Sequence, residues 1–126
     1  MWGLKGALMT EPFDAIRNFD RLVHDPSRLV ILSALDACRK SDFKFLQSVT
    51  GLSKGNLSLH LAKLEAHGLV AIEKKARLRR TVTWVKLTPE GRTTIRAHWR
   101  RLEESRRAVS KWAERFRLLE PDPEPA

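Results

Sequence analysis

The stretch from Phe43 to Leu87 constrains the fold most, because helical spacing, two helix stop signals and a run of basic residues follow one another there. Three leucines recur at helical spacing and mark the buried face of one helix: Leu57, Leu61 and Leu64. Ser53 offers a side-chain oxygen that can cap the first turn of this helix. Gly68 suits the left-handed position just past its end, where a Cβ is penalised. With a shorter helix over residues 43–49 and a turn at 51–53 in front, the stretch predicts helix, turn, helix and hairpin.

The face opposite the leucines decides what this helix can do. It carries Gly55, Leu59, Ala62 and Ala66, with Asn56 and Lys63 at its edges. Small residues let a helix axis come close to another surface, and the polar edges supply hydrogen-bond donors and a charge. Such a face fits a DNA major groove, where side chains reach base edges and phosphates. An ordinary amphipathic surface helix has the same pattern, so the helix alone leaves both interpretations open.

A strongly basic segment follows the helix. Between positions 74 and 80, five of the seven residues are basic: Lys74, Lys75, Arg77, Arg79 and Arg80. Strand-like sequences flank this segment at residues 70–73 and 81–87, which predicts a cationic β-hairpin. Because acidic residues are nearly absent from this segment, contact with nucleic acid is favoured over a solvated charge run. The segment lacks an Asn-Gly or Asp-Gly pair, so we expect a loose loop around residues 76–79.

Residues 25–92 resemble the winged-helix transcriptional regulators of the MarR/ArsR-like type. The resemblance rests on four blocks in this order: Arg28–Leu35, Leu52–Glu65, Gly68–Val70 and Leu87–Arg92. It implies DNA binding by a dimer and control of transcription. The expected fold is α+β and mainly helical, a winged helix-turn-helix with an N-terminal helix and a long C-terminal dimerisation helix. In such a fold the second helix enters one groove and the hairpin, or wing, reaches a neighbouring backbone or the minor groove.

Length and charge bound the rest of the chain. The net charge of +9 over 126 residues indicates a polyanionic partner, with nucleic acid ahead of a membrane surface. We expect one domain over residues 11–119, a flexible N-terminus at residues 1–10 and a disordered tail at residues 120–126. The lone cysteine, Cys38, excludes an intramolecular disulfide framework, suits a reducing cytoplasm and is interpreted as a small core residue. No apolar run approaches the roughly 18–20 residues that span a bilayer, and no signal peptide is recognised.

Two helices are predicted before the helix-turn-helix. The first runs from Pro12 for about three turns, and its apolar face comprises Phe13, Ile16, Phe19, Leu22 and Val23. Asp25 ends it and caps the second helix, whose first turn contains Pro26. This second helix, to about Arg39, is apolar nearly all round and belongs at the centre of the fold. Phe43 begins the next helix or adds a short strand beside the wing.

The last helix starts at a strong signal, in which Thr88 caps and Pro89 takes the first position. We expect it to run over residues 89–119, longer than a small domain body requires. An apolar stripe with a seven-residue repeat is typical of helix pairing, and it predicts a homodimer interface formed by Ile95, Trp99, Leu102, Val109, Trp112 and Phe116. The alternative is that the stripe packs on the first helix of the same chain, and both arrangements are compatible.

Catalysis and metal sensing have little support. No serine, cysteine or histidine has a recognisable nucleophile setting, and no glycine-rich phosphate loop is present, so we do not expect an enzyme. The ArsR branch of the relatives includes metal sensors, which need clustered ligands. The four histidines are scattered, at His24, His60, His67 and His98, and paired cysteines are lacking. We therefore expect no metal and no cofactor.

The sequence thus predicts a cytoplasmic homodimer that binds double-stranded DNA and regulates transcription, with no membrane partner and with any small-molecule effector unknown. The predicted contacts of the recognition helix are Ser53, Lys54, Asn56, Ser58, Leu59, His60 and Lys63. Those of the wing are the five basic residues at positions 74–80. Leu59 is unusual, because an exposed leucine there could contact a thymine methyl group. The alternative function is a winged-helix module for protein–protein or RNA contact.

Overall fold

A computed structural model describes residues 11–117 of the chain. These residues fall into two units: a larger unit of residues 20–98, and a smaller unit of residues 11–19 and 99–117. The predicted flexible N-terminus (residues 1–10) and disordered tail (120–126) lie outside the described residues. The single-domain extent of residues 11–119 stays a prediction.

The order of elements is that of a winged helix. Helix α1 contains residues 11–17 and is followed by α2 (Pro26–Cys38), β1 (Lys40–Asp42), α3 (Phe43–Thr50), α4 (Lys54–Ala66), β2 (Val70–Arg77), β3 (Arg80–Leu87) and α5 (Pro89–Arg115). The strands form one antiparallel sheet in the order β1-β3-β2. The predicted α+β, mainly helical winged helix-turn-helix is therefore confirmed. Among the described residues, no helix has both the length and the apolar character needed to cross a membrane.

Helix α1 ends earlier than predicted. The helical pattern pointed to about three turns ending at Asp25, whereas regular helix stops at residue 17. A turn follows in the larger unit, where the Asp20 side chain accepts a hydrogen bond from the Leu22 N–H at 2.9 Å. Side chains of this type compete with the helix for backbone groups. Leu22 and Val23 keep their apolar role, since both join the core of the larger unit.

Helix α2 lies at the centre of the larger unit, as predicted. Asp25 caps it by accepting from the Arg28 N–H at 3.0 Å, and Ile31, Leu32 and Leu35 are fully buried. The interpretation of Cys38 as a core residue is wrong, because its side chain is exposed. Cys38 is the last residue of α2, where the helix leaves the core and the chain turns into β1.

Helix α5 begins as predicted, because the Thr88 hydroxyl oxygen accepts from the Gly91 N–H at 2.9 Å. It ends at Arg115 rather than near residue 119. The prediction that Ile95 lies in a dimer interface is wrong, because its side chain has no exposed surface and belongs to the core of the larger unit. The first turns of α5 pack on the chain's own core, so the apolar stripe there is already covered. The rest of that core is Val23, Ile31, Leu32, Leu35, Leu46, Leu57, Leu61, Leu64, Leu69, Val70, Val85 and Leu87.

The wing is a tighter hairpin than predicted. Arg77 pairs with Arg80, so the loop consists of Leu78 and Arg79 alone. Leu78 takes a positive φ of 59°, a backbone region that two-residue hairpin loops require and glycine usually fills. The prediction of a loose loop relied on the absence of that glycine. A leucine supplies the conformation instead.

Candidate nucleic-acid interface

Helix α4 is held in place by signals at both ends. Ser53 has the extended backbone of an N-cap, and its hydroxyl oxygen accepts from the Asn56 N–H at 3.2 Å. Gly51 ends α3 in the left-handed region at φ 69°, which makes the turn between the two helices tight. Gly68 follows α4 at φ 74°. The predicted local roles of Ser53 and Gly68 are confirmed, and together these residues fix where α4 starts and stops.

The predicted contact face of α4 is open to solvent. Leu57, Leu61 and Leu64 turn into the core as predicted. The exposed residues of the predicted set are Ser53, Lys54, Asn56, Ser58, Leu59 and Lys63. Leu59 is 71% exposed, so it presents apolar surface that the chain itself leaves uncovered. Small side chains lie beside it at Gly55 and Ala62. This face therefore has the exposure that a partner surface needs.

His60 differs from the other predicted contacts, because its ring is bonded inside the larger unit. The Arg28 guanidinium donates to His60 Nδ1 at 3.0 Å. Arg28 also donates to the carbonyl oxygens of Leu22 at 2.5 Å and Arg21 at 3.2 Å. A guanidinium can only donate, so Nδ1 is the acceptor and the ring proton is on Nε2. His60 is half-buried and retains one donor for an outside acceptor.

A groove lies beside α4, bordered by α3 and by both strands of the hairpin. Its volume is about 880 Å³. Four cationic residues line it: Lys44, Lys54, Lys74 and Arg80. Two carboxylates also line it, Asp42 and Glu65, but both accept backbone hydrogen bonds, from the Phe45 N–H at 2.8 Å and the Ile72 N–H at 3.1 Å. Within residues 11–117 none of the four cations forms an ion pair, so their charges remain available to an anion.

Lys44 and Gln47 line this groove and were missed in the sequence. They lie on α3, which β1 brings to the hairpin: Ser41 pairs with Val85 and Asp42 with Trp84. The sequence indicated only a short strand near Phe43, with no register. The strand is Lys40–Asp42. The sequence signal that could have identified this contact is Lys44 itself, a basic residue in the first turn of α3 directly after β1.

The five basic wing residues are all exposed, but they do not share one face of the hairpin. Side chains alternate between the two faces of a strand, and directly paired residues share a face. Lys74, paired with Thr83, lies on the same face as Ile72 and lines the groove. Lys75, Arg77 and Arg80 lie on the opposite face, and Arg79 is in the turn. Arg80 still borders the groove, because it stands at the end of the hairpin. The wing therefore offers positive charge in two directions.

The structure brings together two histidines that are distant in the sequence. His24 Nδ1 and His98 Nε2 lie 3.1 Å apart, and His98 is 1% exposed. Within residues 11–117, no group of three or more histidine, cysteine or carboxylate side chains is placed to hold one metal ion. Both histidines lie in the larger unit.

Comparison with known proteins gives a consistent identification of the fold. An uncharacterized protein of Methanocaldococcus jannaschii is 35% identical over 69 residues, which are 55% of this chain and 75% of that protein. A transcriptional regulator homologue of Pyrococcus horikoshii is 29% identical, with a TM-score of 0.70, over 79% of this chain and 97% of that one. A MarR-family transcriptional regulator of Silicibacter pomeroyi shares the fold at 22% identity and a TM-score of 0.56, over 94% and 75% of the two chains.

The family match coincides with the elements described above. The family described as winged helix DNA-binding domain matches residues 27–105, which include α2, the helix-turn-helix, the hairpin and the first turns of α5. The similar structures are transcriptional regulators, in agreement with the MarR/ArsR-like resemblance of the sequence. The chain belongs to the winged helix DNA-binding domain family.

Proposed function

We propose that this chain is a transcriptional regulator that binds specific sequences of double-stranded DNA as a homodimer. It acts in the cytoplasm, where a free and exposed thiol such as that of Cys38 stays reduced. It has no catalytic activity in this proposal. The contacts to bases come from α4, and the contacts to phosphates come from the groove and the wing.

The observation that carries the proposal is the adjacency of two surfaces in the larger unit. The exposed face of α4, with Asn56 and Leu59, adjoins the groove in which four cations lack an ion pair within residues 11–117. Base edges are read in the major groove by hydrogen-bonding and apolar side chains, and lysine and arginine are among the groups that contact phosphates. A regulator that binds a specific sequence needs one surface for base edges and another for phosphates. The larger unit carries both surfaces side by side.

The homodimer is proposed from the smaller unit. Phe13 packs edge-on against Trp112, with ring centroids 5.0 Å apart, so part of the stripe packs on the chain's own first helix. The indole N–H of Trp112 is buried and has no hydrogen-bond partner within residues 11–117. Ile16 and Trp99 expose 37% and 47% of their surface. A second copy of the chain that packs against this apolar surface would remove it from water. The interface in this proposal comprises Trp99, Leu102, Val109, Trp112 and Phe116.

The second candidate is a winged-helix module that binds RNA or protein. The same cations would attract RNA, since the electrostatic attraction is independent of sequence. The major groove of double-stranded RNA is too narrow for α4, so this candidate predicts single-stranded or shape-based recognition. It would leave the exposed polar face of α4 without a base-reading role.

The test is selection of bound fragments from random duplex DNA, followed by mobility shift. We expect an imperfect palindrome whose half-sites lie about one helical turn, roughly 10–10.5 base pairs, apart. The selected duplex should be retarded in the gel, whereas a scrambled duplex and an RNA duplex of the same sequence should bind at least about tenfold more weakly. Failure to enrich any sequence, or equal retention of RNA, would contradict the proposal.

A further inference from the structure

The tip of the wing combines three features that folding alone does not favour. The first is the backbone of Leu78. At φ 59° it lies in the left-handed half of backbone space, where a side chain with a Cβ is penalised. Leu78 is the first of the two loop residues, a position at which glycine is usual in tight hairpins. Strained backbone positions of this kind cluster at functional sites.

The second feature is the exposure of the Leu78 side chain. It is 102% exposed, against 71% for Leu59. Single exposed apolar residues are common on surfaces, and taken alone this one would need no explanation. Leu78 however is held away from the rest of the chain by the two-residue loop, so none of its apolar surface is buried.

The third feature is a like-charge pair. Arg77 and Arg80 lie directly opposite each other at the end of the hairpin, and Arg79 follows Leu78. Like charges directly opposite in a sheet are destabilising. Within residues 11–117 no carboxylate forms an ion pair with any of these three arginines. A polyanion would remove this repulsion, so the chemistry of the tip points to a strand of phosphates on each side of one apolar residue.

We propose that Leu78 is an apolar wedge that enters the minor groove of the bound duplex and partly unstacks one base step. The arginines beside it contact the phosphates that border the groove. Leucine is among the side chains that architectural proteins insert in this way, and the insertion kinks the duplex toward the major groove. This inference rests on the proposed function, and it adds a shape-reading contact to the base-reading face of α4.

Three substitutions at one position test the wedge on the duplex recovered by selection. Leu78→Gly removes the side chain and relieves the backbone penalty. Leu78→Asn tolerates a positive φ but replaces the apolar group with a polar one. Leu78→Met keeps an apolar chain of similar volume. Val30→Ala is the matched control, since Val30 is an exposed aliphatic residue on α2, 42% exposed and outside the groove.

Five readouts are measured for each variant: affinity across salt concentrations, duplex bending by end-to-end energy transfer, base unstacking by 2-aminopurine fluorescence, melting temperature, and sedimentation of the protein alone. For Leu78→Gly and Leu78→Asn we expect about tenfold weaker binding, the scale of burying one leucine less the unstacking cost. The salt dependence should keep its slope, because every arginine that contacts a phosphate is still present. Bending and unstacking should decrease, and the melting temperature of Leu78→Gly should not fall. Leu78→Met and Val30→Ala should resemble the unmodified protein.

The outcomes separate the wedge from the function on which it rests. If the duplex is bound but Leu78→Gly retains affinity, bending and fluorescence, the wedge is overturned and DNA binding stands. If Leu78→Gly changes the sedimentation of the protein and not its DNA affinity, Leu78 is a protein contact and the wedge is again overturned. If the unmodified protein binds no duplex, the proposed function fails and the wedge fails with it.

Discussion

The side chains of Arg28 and His60 join the first turn of α2 to the middle of α4, with Nη1 of Arg28 3.0 Å from Nδ1 of His60. Arg28 is only 8% exposed. Its guanidinium is satisfied by this bond and by the carbonyl oxygens of residues 21 and 22. A charge buried in this way needs each of its partners. His60 therefore orients the helix that carries the proposed base contacts.

Replacing His60 by alanine should lower the free energy of unfolding by about 1–3 kcal/mol, because a buried guanidinium N–H loses its partner. The measurement is urea denaturation followed by circular dichroism. His67→Ala is the control on the same segment: His67 is exposed, and within residues 11–117 its ring is bonded only to the Lys63 carbonyl oxygen. Its loss should stay within about 0.5 kcal/mol. Equal losses for the two variants would show that the contact with Arg28 does not stabilise the fold.

Gly91 should not tolerate a side chain. A Cβ at this position would collide with the Leu69 carbonyl oxygen and come within 2.8 Å of the Leu87 side chain. Gly91→Ala should therefore cost about 1–3 kcal/mol of unfolding free energy, the usual range for overpacking. Gly55→Ala is the opposite case, since nothing lies within 4 Å of its Cβ position in α4, and it should stabilise by about 0.5–1 kcal/mol. A thermally stable Gly91→Ala protein would argue against this close approach of α5 to the backbone that precedes β2.

Changing both Arg79 and Arg80 to alanine should reduce the magnitude of the salt-dependence slope of DNA binding by about one for each phosphate that is no longer neutralised. The double variant Arg17→Ala/Lys111→Ala removes the same charge from exposed positions of the smaller unit and should leave the slope unchanged. Both are measured by fluorescence anisotropy on one duplex. An unaltered slope in the Arg79 and Arg80 variant would place the phosphate contacts elsewhere.

Trp99→Ala should weaken the proposed homodimer. Removing a half-exposed indole from an interface costs about 2 kcal/mol or more when the residue is central to it, so the dissociation constant should rise at least about tenfold. Analytical ultracentrifugation over a range of concentrations gives that constant. Phe45→Ala removes another exposed aromatic residue, 43% exposed on α3. It should leave the association unchanged, and an equal effect of the two variants would relocate the interface.

Local signals explain why much of the fold was predictable. Ser53, Gly68 and Thr88 act through hydrogen bonds or backbone angles within a few residues, and the structure has each of them in the predicted role. Apolar spacing likewise identified the buried face of α4. These features can be predicted without knowing which other elements of the fold the helix packs against.

Tertiary placement explains what the sequence did not indicate. The seven-residue stripe on α5 is continuous in the sequence, yet Ile95 faces the chain's own core. Cys38 follows the apolar pattern of α2 but comes at its last, exposed residue. Lys44 borders the groove in a unit where β1, directly before α3, pairs with β3. In each case the burial or position of the residue depends on elements that are distant in the sequence, and a local sequence pattern does not predict where those elements lie.

The short length of β1 divides the hairpin into two mechanical regimes. β1 pairs only with residues 84–86, so the hairpin beyond Trp84 is a ribbon of two strands with no third strand beside it among the described residues. Two-stranded ribbons twist more strongly and hold together less firmly than wider sheets. The three-stranded base of the hairpin is therefore stiff, and its two-stranded end is flexible. The flexible end can follow differences in the curvature of a bound duplex, while the stiff base holds the basic residues near α4 in a fixed position.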